Sequence, residues 1–330
     1  RALTDQTRPS VRMTSYFVMD STGGNNNGSP EPNETIDLIA NFTSYLAPTD
    51  PGTVITITSS DTNVQIVNGA FALGALSALE STTNGNAPFR ILLKPHTPPD
   101  AIIAFTATVQ GGSYSDWQIF NIGVNPSFAT QDVNNINVTF TRDGRMGFND
   151  FLNHQQGVGF VYDGGDFPGR NYMYEGGLLI GYSPVKLVDV VRNDLNDVDV
   201  DFSSQGTFTL RTPGLVSDQE GTTVFSDANA ASTNKVGVQV IMSSYSYAND
   251  PDKDYVLARY DIQNTSVVPL SNLYASLFFD WDMQGPTADQ SPTYYDNNRT
   301  SFDVARGLGH AWYDTTAPTV YCGTRALTGP

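Results

Sequence analysis

One cysteine, Cys322, is present in 330 residues. A single thiol forms no intrachain disulfide, and it excludes both a C-x-x-C redox pair and a cysteine-based zinc cluster. Helix formers are also scarce, with 5 Glu and 4 Lys against 29 Asp and 13 Arg. Asp, Asn, Gly, Ser and Thr favour turns and strand ends, so this bias predicts many short strands and an all-β chain. No apolar run approaches the roughly 18 residues a helix needs to span a bilayer. Histidine is limited to His96, His154 and His310, far apart in sequence. No G-x-S-x-G elbow occurs, and no Gly-Thr pair is followed by the Ser-Met of a subtilisin nucleophile. Each histidine reads as an ordinary loop or surface residue, and no nucleophile stands out.

Acid outweighs base throughout. Residues 1 to 130 carry 10 acids and 5 bases, and residues 131 to 330 carry 24 and 12, giving the net charge of −17. An evenly acidic surface repels phosphate backbones and anionic lipid, so nucleic acid and membrane surfaces are unfavoured partners and cations are favoured ones. A chain of this length buries enough apolar surface without disulfides, so the lone cysteine does not argue against secretion. There is no initiator Met and no signal peptide. The sequence opens at Arg1 and stops at Pro330 in mid-pattern, which reads as a piece of something longer.

Alternation and β-branching predict strands over 11–19, 35–42, 53–59, 63–67, 102–110 and 115–124, with the turn punctuation of a sandwich. Segment 70–79 fits either a helical turn or a bulged strand. After Asn125-Pro126-Ser127 a new pattern begins, placing a boundary near residue 128. An Ig-like β-sandwich over 1–128 and a larger, jelly-roll-like β-sandwich over 129–330 are expected. In the second half, Asp143-Gly144 marks a hairpin turn between 139 and 148. Further strands are predicted over 176–182, 198–202, 207–211, 235–245, 255–264 and 273–282.

Three acidic groups suggest cation chemistry. Between Asp20 and Glu34 the chain reads D-S-T-G-G-N-N-N-G-S-P-E-P-N-E. Asp20, Asn25, Asn27, Glu31 and Glu34 offer oxygen atoms, and Gly23, Gly24 and Gly28 allow a path that aims them at one centre, which suits calcium. A solvated Asn-Gly loop is the alternative. Asp280 and Asp282 share a strand face at i and i+2, as a weaker metal pair or a capped strand end. One strand does not flank a sugar from two sides, so this pair makes a poor glycosidase site. Asp250-Pro251-Asp252-Lys253-Asp254 opens like a calcium loop, but Tyr255 stands where such a loop needs Gly, so an acidic turn is favoured. Asp197, Asp199 and Asp201 alternate with Val198, Val200 and Phe202 and read as the wet face of a strand.

The run from 20 to 38, D-S-T-G-G-N-N-N-G-S-P-E-P-N-E-T-I-D-L, resembles the segment that opens an accessory β-domain in large secreted subtilisin-like serine peptidases of Bacteroidota and related bacteria. Asn33 stands where that family usually has Gly, a mild change because Asn tolerates left-handed backbone. T-F-T-R-D-G-R-M-G-F-N-D (139–150), G-V-G-F-V-Y (157–162), M-Y-E-G-G-L-L-I-G (173–181), Y-D-I-Q-N-T-S (260–266) and L-Y-A-S-L-F-F-D-W-D-M (273–283) extend the resemblance in the same order. It implies a non-catalytic module lying after a peptidase domain and before a sorting domain. The parent would be secreted or displayed at the cell surface by the type IX route, with other domains of the same polypeptide as partners. A spacer, stabiliser or adhesion role with structural calcium is the first expectation. Alternatives are a carbohydrate- or surface-binding module using Trp117, Trp281, Trp312 and Tyr294-Tyr295, a fibre or surface-layer subunit pairing with copies of itself, and, last, a hydrolase.

Overall fold

Segment 35–44 alternates apolar with polar residues, and its strand Thr35–Ser44 buries Ile36, Leu38, Ala40 and Phe42 to 1% exposure or less. That two-residue period turns one face inward and organises the whole chain. The computed structural model describes residues 7–150, 153–165, 167–193, 198–283, 297–314 and 320–327. The chain divides into two units, Arg1–Pro126 and Ser127–Pro330. Both are built from antiparallel strands packed as sandwiches, so the all-β expectation holds.

In the first unit the strands are β1 (Val11–Gly23), β2 (Thr35–Ser44), β3 (Val54–Thr58), β4 (Val64–Asn68), β5 (Ala70–Ala72), β6 (Ser81–Thr83), β7 (Phe89–Leu93), β8 (Ala101–Gly111) and β9 (Tyr114–Val124). One sheet runs β1-β2-β7-β4 with β6 also on β2, and the other runs β5-β3-β8-β9. Ile36, Leu38 and Phe42 of β2 and Phe89 and Ile91 of β7 meet Ile55 and Ile57 of β3 and Ile103 and Phe105 of β8 in one core. Segment 70–79 resolves into the short β5 followed by an irregular stretch whose Leu73 and Leu76 plug that core. Where the two sheets meet at a corner, Gln118 of β9 pairs its amide with Met13 of β1. Its Oε1 accepts the Met13 N–H at 3.1 Å, and its Nε2 donates to the Met13 carbonyl at 3.1 Å.

The described residues of the second unit form three sheets. An eight-stranded sheet is ordered Arg170–Asn171, Phe160–Tyr162, Ile136–Thr141, Arg145–Gly147, Met173–Ser183, Lys186–Val188, with Phe128–Gln131 on Ile136–Thr141 and Tyr274–Trp281 on Met173–Ser183. A five-stranded sheet is built around Gln219–Ser226, Val238–Ser246 and Val256–Asn264. Val138, Phe140, Leu178 and Ile180 of the first pack with Phe225, Val238, Val240 and Met242 of the second. The third sheet is small: Asn298–Asp303, Leu308–Tyr313 and Tyr321–Arg325. Among the described residues no helix is long and apolar enough to cross a membrane.

The expected strand over 198–202 does not form. Val198 makes a single bridge to Arg192, and the Asp201 carboxylate turns back to accept the Asp189 N–H at 3.4 Å. The turn at Asp143-Gly144 does form, with Gly144 at φ +93°. A Cβ there would lie 2.5 Å from Cζ of the buried Phe225. Replacing Gly144 by Ala therefore combines a disfavoured φ with a core clash, and a fall of about 2–4 kcal/mol in urea-unfolding stability is expected.

Candidate cation site

Asp20 to Glu34 comprises the irregular end of β1 and the connection 24–34 of the β1–β2 hairpin. Register slips between Met19 and Gly23, so Asp20, Ser21 and Thr22 bulge opposite Ile36. This bulge turns Asp20 inward to 3% exposure, and Glu34, one residue before β2, reaches 7%. Asp20 Oδ2 accepts the N–H groups of Asn27 (2.9 Å) and Gly28 (3.2 Å). Glu34 accepts Asn25 N–H at 3.0 Å on Oε1 and Glu31 N–H at 3.0 Å on Oε2. The Glu31 carboxylate takes both side-chain amides, from Asn25 at 3.0 Å and Asn27 at 2.8 Å. All five sequence-predicted residues thus belong to one connected network.

Backbone freedom makes this closure possible. Asn33 adopts φ +72° and Asn26 φ +61°, the left-handed region that asparagine tolerates. Gly24 lets Glu34 approach closely, since a Cβ there would sit 2.8 Å from the Glu34 carboxyl carbon. The loop is tied down by Asn33 N–H to the Leu93 carbonyl (2.9 Å), Leu93 N–H to the Glu34 carbonyl (2.8 Å) and Asn125 N–H to the Pro30 carbonyl (2.7 Å). Next to it, Asp37 is held by Arg90 Nε (2.8 Å) and Thr22 Oγ1 (2.8 Å), and the Arg90 hydrogen bonds keep its carboxyl below the usual range. Glu34 moves the other way. Burial pushes its carboxyl up, the Asn25 and Glu31 N–H groups oppose this, and repulsion from Glu31 and Asp20 adds to the rise.

Asp280 and Asp282 are set differently. Asp280 lies opposite Glu175 in the strand pair and is hydrogen-bonded by the Arg192 guanidinium. Glu175 is fully buried, with Oε1 3.3 Å from Arg192 Nε and Oε2 accepting the Arg192 N–H at 3.1 Å. The Asp282 N–H donates to the Tyr172 carbonyl at 2.9 Å. In the 250–254 segment the acids go to separate partners: Asp250 to Lys253, Asp252 to Tyr255, Asp254 to Asn135 and Tyr162. Asp197 lies outside the described residues. Asp199 and Asp201 crowd the buried Asp189, whose carboxyl burial pushes up to about 6. Sequence reading missed Asp189, Glu175 and Arg192, which only folding brings to their neighbours.

The histidines keep aromatic or solvent company. His154 stacks on Phe148 at 4.4 Å and meets Tyr174 edge-on at 5.0 Å, His310 stacks on Trp312 at 5.4 Å, and His96 is exposed. Trp117 is 64% exposed, whereas Trp281 is half-buried against Phe279 and Phe160. Tyr294 and Tyr295 lie outside the described residues. Among the described residues, no group of three or more His, Cys, Asp or Glu side chains is placed to hold a metal ion as it stands.

No protein-family model matches the chain, and no curated protein matches it. Solved structures that match include a crystal structure of native alpha-2-macroglobulin from Escherichia coli spanning domain MG7 to the C-terminus. Identity is 16%, the TM-score is 0.27, and the match covers 54% of this chain and 24% of that one, a likeness too low to carry an argument about fold or role.

Proposed function

We propose that this chain is a non-catalytic accessory module of a larger secreted or cell-surface bacterial protein, serving as a calcium-stabilised spacer or adhesion element. The observation that carries the calcium part is the convergence of Asp20, Asn25, Asn27, Glu31 and Glu34 in one hydrogen-bonded loop. Its donor set is entirely oxygen, as a hard cation requires. Burial raises the Glu34 carboxyl, and repulsion from Glu31 and Asp20 adds to the rise, a cost that a divalent ion would offset. Binding asks for local rearrangement. The amides of Asn25 and Asn27 now turn NH₂ toward Glu31 and would present oxygen instead, while Asp20 and Glu34 would exchange loop N–H donors for the ion. The accessory role draws on the sequence resemblance and on two β-sandwich units in succession.

Thermal melting in calcium chloride and in chelator tests the first part. At one hundred times its dissociation constant, a ligand specific to the folded state adds about 2.7 kcal/mol. The parent is expected to melt higher in calcium, and Asp20→Asn with Glu34→Gln to lose that response. A parent melt that ignores calcium would sink the claim. For the second part, the mass of the intact polypeptide is decisive: ends near Arg1 and Pro330 would remove the accessory-module reading.

A further inference from the structure

The small sheet of the second unit has two unlike faces. Ala311 and Cys322 are paired across Leu308–Tyr313 and Tyr321–Arg325 and are buried with Tyr172 and Met283. Alternation places His310 and Trp312 on the other face, together with their cross-strand partners Ser301, Arg299, Tyr321 and Gly323. There three rings cluster into an aromatic platform: His310 stacks on Trp312 at 5.4 Å, and Tyr321 is tilted against both, 6.1 Å from Trp312 and 6.2 Å from His310. Tyr321 is 57% exposed, and between it and Arg325 lies Gly323, where a Cβ would sit 3.1 Å from His310 Cβ and 3.3 Å from Leu308 Cδ1, so neighbouring side chains close over the glycine.

Charge separates this sheet from the rest. Residues 297–327 hold Arg299, Arg306 and Arg325 against Asp303 and Asp314, a balance of +1 that leaves −18 on the remainder of a −17 chain. Arg299 pairs with Asp314 at 3.0 Å and Arg306 with Asp303 at 2.5 Å, so both acids are already matched. Arg325, on the platform face, has no acid within ion-pair distance among the described residues.

We infer that this platform binds an acidic glycan, a uronate-bearing saccharide whose ring stacks on Trp312 and Tyr321 while its carboxylate meets Arg325. A sugar ring has an apolar C–H face and polar edges, which matches aromatic rings and Leu308 bordered by Ser301, Arg299 and Arg325. The cationic patch supplies the complement to carboxylate that the rest of this acidic chain lacks. The inference is independent of the calcium loop, which lies in the other unit.

Native electrophoresis of the full chain through gels containing hyaluronan, dextran or single-stranded poly(dT) tests it. Retardation is expected in hyaluronan alone. Arg325→Gln is expected to weaken it about tenfold through loss of the charged fork. Tyr321→Ala is expected to weaken it about fivefold through loss of stacking. Both positions are exposed, and melting curves check that each variant folds. Trp117→Ala, in the first unit, is expected to bind like the parent. No retardation in hyaluronan, equal retardation in dextran or poly(dT), or parental binding by Arg325→Gln and Tyr321→Ala would each overturn the assignment.

Discussion

Exchanging Arg192 for Met is expected to lower the unfolding free energy by about 3 kcal/mol at pH 7, because it strands a buried carboxylate. Glu175 is fully buried, Asp280 sits opposite it in register, and Arg192 contacts both. Facing residues on paired strands are close, so without the guanidinium two like charges would stand side by side in a poorly solvated place. Burial already pushes the Glu175 carboxyl up, with Arg192 and then Arg145 opposing that rise. A carboxyl raised by folding binds its proton more readily in the native than in the unfolded chain. Its contribution is therefore lost as pH climbs through the folded pKa and regained as pH falls. Removing Arg192 steepens this dependence, so the deficit against the parent is expected to shrink between pH 7 and pH 5. Urea midpoints at both pH values check it. Equal deficits would show that Arg192 acts through its packing over the Tyr174 ring, 5.1 Å away, and not through charge.

A loss of comparable size, about 3–5 kcal/mol, is expected from Asp227→Ala, since each abandoned buried donor costs about 1–3 kcal/mol. Asp227 is 2% exposed and lies at the start of the three-residue turn Asp227–Asn229. Its Oδ2 accepts the N–H groups of Val236 (2.7 Å) and Gly237 (2.6 Å), and its Oδ1 accepts that of Val238 (3.1 Å). Val236 and Val238 are themselves core residues, so these donors have little access to water. One carboxylate thereby fixes the entry of the strand Val238–Ser246 into the centre of its sheet. Asp227→Asn keeps one acceptor and is expected to lose about half as much. Chemical denaturation of the three proteins orders them parent, Asn, Ala. An Ala variant within about 1 kcal/mol of the parent would mean that solvent reaches these donors.

What the sequence disclosed follows from how each element is buried. β2, β8 and β9 announced themselves through β-branched and aromatic residues at a two-residue period, even though Ile102, Trp117 and Ile119 fall on the outward row. The strand Gln219–Ser226 escaped notice because its buried positions are Gln219, Gly221, Thr223 and Phe225, an inward face with almost no apolar signature. β7 escaped for another reason: Ile91, Leu92 and Leu93 run together without alternating, although Phe89, Ile91 and Leu93 are core. The calcium-loop candidates were legible together because they lie close in sequence. Glu175, Arg192 and Asp280 were not, since 17 and 88 residues separate Arg192 from its two acids and only strand register unites them.

The hydrogen bond from Gly28 N–H to Asp20 also bears on how the protein ages. Asparagine before glycine sheds ammonia when the glycine nitrogen loses its proton and attacks the side-chain carbonyl carbon. In this loop that nitrogen points its proton at a carboxylate 3.2 Å away, which opposes deprotonation. The Asn27 amide is meanwhile clamped at both ends, its NH₂ by Glu31 at 2.8 Å and its oxygen by the Ser29 N–H at 2.8 Å. Succinimide formation then requires the loop to open first, so Asp20 sets the chemical lifetime of Asn27 as well as the path of the hairpin.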